Sequence, residues 1–253
     1  MTHVGRDASG RCQTGAMTER WRFEERVAPA ADLHGSWPAV ELDPAVRAVA
    51  RCRPTAPAVV LGSTQTHQVV DPQRAADAGF EVVKRRSGGG AVLVTPDDPV
   101  WVDLWVPTGD PLWTTDVTAA FGWLGTAWAA ALATVGLQGI EVQGSGPGAC
   151  TRWSSSVCFG GVGAGEVTVD GAKVVGLSQR RNRAGAWFHG ACVLHWDPSP
   201  LVGVLALDDQ ERHAAVHGLS AAVTGVTDAA AAQGVTPAPS AASVAVALLD
   251  ALP

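Results

Sequence analysis

The stretch KRRSGGGAV, Lys84 to Val92, sets three cations, a serine and three consecutive glycines between two apolar runs, FEVV and AVLV. A glycine run leaves backbone N–H groups unshielded, so an acyl chain or a phosphate can approach to hydrogen-bond range, and neighbouring cations compensate an anion. Taken alone, the same residues also fit an ordinary turn between two strands. Further along, Lys173 follows the Asp170-Gly171 turn inside GAKVVG, where a strand lysine read by itself faces solvent. Cys158, in SVCFGG, is by itself a small buried hydrophobe, and so is Cys192 in HGACVL.

The elements that must position these residues follow from periodicity. AVVLGS (58–63) reads as a buried strand ending at a glycine turn. EVVKR (81–85), AVLV (91–94) and VWVDLWV (100–106) follow as strands, the last alternating as a half-buried strand should, and their short spacing implies antiparallel pairing. A helix is expected from a Thr115 or Asp116 cap, with Val117, Phe121, Leu124, Trp128, Leu132 and Val135 on its core face and Gly136 at its end. VCFGG, EVTVDGAKVVGLSQ and FHGACVLHW read as three more strands, the middle one folded at Asp170-Gly171 as a hairpin. Beyond Asp197 the chain turns helical, with a linker near 228–240 and a last helix around 242–252. Strands and helices mix without a regular βαβ alternation, which predicts an α+β domain on a mixed, mostly antiparallel sheet flanked by helices. Residues 1–20 read as a disordered extension, since Met17 could equally be a start, and 21–253 as one catalytic domain with a short helical tail.

Composition narrows the function. A hydrophobic share of 47% with 17% charged residues suits a soluble core, and a net charge of −6 argues against a general nucleic-acid binder. No apolar run reaches membrane-spanning length and no secretory signal opens the chain, so a cytoplasmic protein without membrane partners is expected. Five cysteines with no CxxC pair suggest neither a disulfide framework nor a metal site. The cations are local, in Lys84-Arg85-Arg86 and at Arg180, Arg181 and Arg183, which suits a specific anion, an acidic partner or a solvated loop. GSGPGAC and GGVGAGE both fail the GxGxxG spacing, and GxxxxGK[ST], GxSxG and HExxH are absent.

Three segments remain together in order. KRRSGGGAV, then CFGGVGAGEVTVDGAKVVGLSQRR, then FHGACVLHWD resemble the lipoate-protein ligase A and octanoyltransferase family, which shares the biotin/lipoate-ligase catalytic domain. AVVLGSTQ (58–65) resembles that family's early strand-Gly-x-x-Gln element, and the likeness runs from about Glu24 to the C-terminal helix. The resemblance implies that Arg85, Arg86, Ser87, Gly88, Gly89 and Gly90 line an acyl or adenylate site. Gly176, Gln179, His189 and Gly190 would join them. It implies that Lys173 is the family's essential lysine against the acyl carbonyl, and that Cys158, 15 residues upstream, is the nucleophile of the cysteine-dependent octanoyltransferases. Two departures stand out: Val92-Leu93-Val94-Thr95 replaces the ligases' Val-x-His-Asp, and Lys84 replaces an arginine.

Three functions follow from the resemblance. The first is octanoyl or lipoyl transfer from acyl carrier protein through a Cys158 thioester to the lysine of an apo lipoyl domain, such as the H protein or a 2-oxoacid dehydrogenase E2, without a cofactor. The second is an ATP- and Mg²⁺-dependent lipoate-protein ligase acting through lipoyl-adenylate. The third is a non-catalytic acyl-binding or carrier-scaffolding member. Biotin ligation is disfavoured because its Gly-Arg-Gly-Arg loop is absent.

Overall fold

A computed structural model describes residues 21–35 and 45–253; the extension expected over 1–20 lies outside the described residues. The chain opens with β1 (Arg22–Ala28), α1 (Ala30–Gly35), β2 (Ala48–Pro54) and β3 (Ala58–Leu61), continues through α2 (Pro72–Asp77), β4 (Glu81–Lys84), β5 (Val92–Val94) and β6 (Val100–Pro107), and reaches α3 (Gly122–Thr134). There follow β7 (Ile140–Val142), β8 (Ala149–Cys150), β9 (Gly161–Val162), β10 (Val167–Val169), β11 (Ala172–Arg181) and β12 (Gly185–Cys192). Four helices close it: α4 (Ser199–Val204), α5 (Asp209–Ala222), α6 (Val226–Gln233) and α7 (Ala241–Ala251).

A seven-stranded sheet runs in the order β1-β2-β6-β12-β11-β10-β7, antiparallel except for the β1–β2 pair. A three-stranded sheet, β4-β3-β5, stacks against one of its faces. There the short spacing misleads: β3 and β4 run parallel, with α2 as the crossover, and only β3–β5 is antiparallel.

β6 explains how one strand serves two interiors. It is the third strand of seven, and all eight of its residues are buried, whereas the V/W alternation predicts a half-buried strand. The even positions Val100, Val102, Leu104 and Val106 pack with α3 and α7. The odd positions, Trp101, Asp103 and Trp105, lie on the opposite face: Trp101 packs with Leu33, Val60 and Val94 under the small sheet, and Trp105 with Ala48 and Trp187 further along. Pairing register then fixes what stands beside Asp103. His189 is its partner on β12 and Ser178 is the partner of His189 on β11, so one polar row crosses three strands on the inner face.

The helix expected from Thr115 or Asp116 is shorter. Asp116 Oδ1 accepts from Thr118 N at 2.8 Å and Ala119 N at 2.9 Å, heading a 3-10 turn (Ala119–Phe121) that feeds α3. Val117 therefore precedes the helix and is exposed, while Trp128 and Leu132 are fully buried. The region near 228–240 is not all linker: α6 fills Val226–Gln233 and Gly234 ends it at φ 70°. The last helix is part of the core, laying Val244, Ala245 and Leu248 into the same cluster as α3. Trp128→Ala, at the centre of that cluster, is expected to cost about 3–5 kcal/mol, read from the urea midpoint.

Candidate active site

The glycine loop is seated by close backbone approach and by one buried guanidinium. Arg85, expected beside an anion, is only 4% exposed and lies under the loop. Its Nη2 donates to Gly88 O at 2.7 Å and Gly90 O at 2.9 Å, and its Nη1 to Val60 O at 3.1 Å. The adjacent cations Lys84 and Arg86 point to solvent. Ser87 is also buried, its Oγ 2.9 Å from Ser178 Oγ. A Cβ on Gly90 would stand 2.5 Å from the Val157 carbonyl carbon and 2.8 Å from Cys158 N. Gly90→Ala is therefore expected to lift the loop off the cysteine segment and to cost about 1–3 kcal/mol, seen in thermal unfolding. The glycines Gly88 and Gly89, by contrast, are exposed, and their N–H groups donate no hydrogen bond among the described residues.

The early Gly-x-x-Gln element braces the opposite side. Gln65 accepts from Gly62 N at 3.0 Å and donates to the carbonyls of Ser155 and Ser156 at 3.0 and 3.1 Å. It thus ties the end of β3 to the chain just before Cys158. That motif was legible in the sequence; its link to the cysteine segment is long-range and was not.

VCFGG is not a strand, as its apolar run suggests. Cys158–Gly160 forms a 3-10 turn, because Gly160 and Gly161 pack against the Trp153–Ser154 backbone and side chain too closely for any Cβ. The turn is fixed at its head by Cys158 N donating to Ala91 O at 2.8 Å. The Cys158 thiol is partly exposed, with Arg85 Nη2 at 3.9 Å from its sulfur. Cys192, the rival, is fully buried on the helix-packed face of β12, and burial pushes its thiol well above the usual range. An overlooked thiol is Cys150, exposed on β8 and lining the same cleft as Cys158.

Lys173 is 1% exposed, unlike an ordinary strand lysine. Its Nζ donates to Glu166 Oε2 at 2.6 Å, Gly161 O at 2.7 Å and Cys158 O at 3.0 Å, and sits 5.0 Å from the centre of the Phe159 ring. An ammonium has three N–H bonds, so all are used. Glu166 in turn accepts from Gly163 N at 2.6 Å and Leu177 N at 2.9 Å. Glu166 was missed in the sequence; the only signal was a carboxylate seven positions before the lysine, immediately ahead of the neighbouring strand of the hairpin.

These residues meet in two cavities on either side of Cys158. An open cleft of about 440 Å³ brings together Gly88, Gly89, Gly90, Cys158, Lys173 and Gln179, with Phe121, Val162 and Leu177 as apolar wall. Gln179 donates to Val117 O at the rim. Behind Cys158 lies a second, half-open recess lined by Arg85, Gly176, His189, Gly190 and Trp101 among others. Gly176 and Gly190 leave room for Phe159 and Trp128, whose ring atoms would stand 3.3 and 2.9 Å from a Cβ at those positions. Arg86 joins neither; it lines a small outer recess with Arg180 and His189.

A mixed sheet with a second sheet stacked on it, a glycine loop over the join and a buried lysine beneath define a catalytic domain of the biotin/lipoate-ligase type. The model of the lipoyl protein ligase A/B catalytic domain matches residues 42–252, and the chain belongs to that family. No curated protein matches it. Among solved structures it is similar to the bipartite lipoate protein ligase of Thermoplasma acidophilum, described with its E2 lipoyl domain (TM-score 0.68, 19% identity, 92% of this chain and 82% of that one). It is also similar to a lipoate-protein ligase A bound with ATP (TM-score 0.66, 18% identity, 92% and 83%). A third is a T. acidophilum putative lipoate protein ligase with bound lipoic acid (TM-score 0.64, 18% identity, 92% and 84%). At these identities the likeness is one of fold.

Proposed function

We propose that this protein transfers an octanoyl or lipoyl group from acyl carrier protein to the lysine of an apo lipoyl domain through a thioester on Cys158. The observation that carries this reading is a partly exposed thiol at the floor of the 440 Å³ cleft, with a guanidinium 3.9 Å from its sulfur and its carbonyl held by Lys173. The thiol sulfur attacks the carrier's thioester carbonyl, the carrier's thiol leaves, and the acceptor lysine amine then attacks the Cys158 thioester and frees the thiol. Arg85 supplies fixed positive charge beside the sulfur. The unpaired N–H groups of Gly88 and Gly89 are suited to meet the carbonyl oxygen as it gains charge. Lys173, with three acceptors already, acts by holding the Cys158–Gly161 turn in shape rather than by donating to the oxyanion itself.

Lipoyl domains are the acceptors favoured here, either an H protein or an E2, and the fold shared with a ligase described with its E2 lipoyl domain supports that class. The competing reading is an ATP-dependent lipoate ligase, supported by the shared fold with an ATP-bound relative. Intact-mass measurement separates them. Octanoyl carrier protein alone should add one octanoyl mass to the protein; modification of a lipoyl domain only with octanoate or lipoate plus ATP would replace the transferase reading with the ligase one.

A further inference from the structure

The half-open recess behind Cys158 continues the cleft in front of it, since Cys158, Leu177 and Ser178 line both. Its walls are largely apolar, with Val92 and Val94 from the small sheet and Phe159 next to the thiol. Three neighbouring strands of the large sheet floor it: β11 through Gly176, β12 through Gly190 and β6 through Trp101. Two intervals between adjacent strands make about 10 Å. An extended alkyl chain advances about 1.25 Å per carbon–carbon bond, from the bond length and the tetrahedral angle, so about eight carbons cross that floor. An acyl group on the Cys158 sulfur that turns into the recess therefore runs across the strands toward α1.

A pair of imidazoles stands where the recess ends. His34, in the last turn of α1, and His189 line both this recess and the small outer one that holds Arg86 and Arg180. The two rings meet edge to face, with 5.8 Å between their centres. His189 is the fixed member: its Nδ1 lies 2.7 Å from Asp103 Oδ1, which also accepts from Trp101 Nε1 at 2.6 Å. His34 is held differently, stacked on Trp101 at 4.4 Å, and its buried Nδ1 makes no hydrogen bond. Burial, reinforced by His189, lowers the pKa of His34 to about 3, so a neutral ring faces the apolar recess. Beyond the pair, a longer chain would strip water from two exposed guanidinium groups without offering them a partner.

Resting on the transferase reading above, we propose that His34 sets acyl length, closing the recess about eight carbons from Cys158 with His189 as the fixed half of the same wall. An octanoyl chain ends at this wall. A decanoyl or dodecanoyl chain has to push His34 off Trp101 and enter the Arg86–Arg180 recess.

Adduct formation on the full chain, followed by intact mass, tests this with carrier protein loaded with hexanoyl, octanoyl, decanoyl or dodecanoyl groups. Each methylene buried without hindrance strengthens association about fourfold, so an open-ended recess predicts a steady rise with length. The wild type should instead peak at octanoyl and fall about 10-fold or more by dodecanoyl. His34→Ala should raise the dodecanoyl-to-octanoyl ratio about 10-fold or more, and a ratio taken within one protein is insensitive to a general loss of activity. His34→Trp, which thickens the wall, is the second variant and should move the peak to hexanoyl. A wild type that takes dodecanoyl as fast as octanoyl, or folded variants whose length profiles match the wild type, overturn the proposal. Titration with the free fatty acids of the same lengths separates it from the reading on which it rests. If no loaded carrier forms an adduct, yet affinity peaks at octanoate in the wild type and at dodecanoate in His34→Ala, the wall stands and the transferase reading falls. Affinity that climbs through dodecanoate in both proteins, or binding of none of the acids, overturns the wall itself.

Discussion

Cys158→Ala is expected to lose the octanoyl adduct entirely and to lower acceptor modification on the order of 10³-fold or more, as when the nucleophile of a covalent mechanism is removed. The fold should be nearly untouched. The bond that seats Cys158 is its backbone N–H to Ala91 O, which alanine keeps; among the described residues the sulfur's polar contact is Arg85 at 3.9 Å, and the side chain otherwise packs at the edge of the Phe159, Val193 and Val223 cluster. A change of this kind is expected within about 0.5–1 kcal/mol of the parent in urea unfolding. The controls are the other two thiols of interest. Cys150→Ser should keep the adduct, although Cys150 is the more exposed and lines the same cleft, because among the described residues no guanidinium bonds to its sulfur. Cys192→Ala should also keep it, losing only packing. An adduct that survives in Cys158→Ala and vanishes in Cys150→Ser would assign the thioester to the wrong side of the cleft and end the argument for Cys158.

How much of this could be read without coordinates depends on the range of the interaction. The Asp170-Gly171 hairpin was legible because a two-residue turn is a local matter: Asp170 adopts φ 49° and Gly171 φ 82°, and the strands on either side pair across them. The same holds for the buried strand Ala58–Leu61. The glycine run announced that something approaches the backbone closely, and it does, but its nearest neighbours are partly protein: Gly90 meets the Val157–Cys158 backbone and Gly62 meets the Gly89 carbonyl. What the charges were for was not legible. Two adjacent arginines look alike in sequence, yet Arg85 is folded under the loop as a brace and Arg86 is left outside. That split follows from the β3–β4 pairing, which makes Arg85 N donate to Leu61 O at 2.9 Å and turns its side chain inward.

Asp103 is the clearest case of a residue that periodicity hides. An aspartate at the centre of VWVDLWV reads as the solvent-facing position of a half-buried strand. It becomes fully buried only because a second sheet covers that face, a fact with no local signature. Its partner His189 lies 86 positions away, brought opposite by the β6–β12 register. Glu166 is hidden in the same way: its importance appears only when Lys173 is known to point inward.

The Glu166–Lys173 pair carries the second large expectation. Lys173→Met should cost about 3–5 kcal/mol, because it strands a carboxylate at 5% exposure with only two backbone N–H partners. Glu166→Leu should cost a similar amount, leaving a buried ammonium and freeing the N–H groups of Gly163 and Leu177. The double variant, Glu166→Leu with Lys173→Met, should recover much of that loss, since replacing both members of a buried ion pair with apolar groups is often close to neutral. Activity should not recover with it. Lys173 Nζ is what holds the carbonyls of Cys158 and Gly161, and neither methionine nor leucine can donate to them. Urea midpoints at a constant m-value, set beside adduct formation for the four proteins, would therefore separate stability from positioning. A double variant as active as the parent would show that Lys173 is a buried charge and nothing more. One that stays as unstable as either single change would show that the backbone bonds, rather than the ion pair, set the energy of this part of the fold.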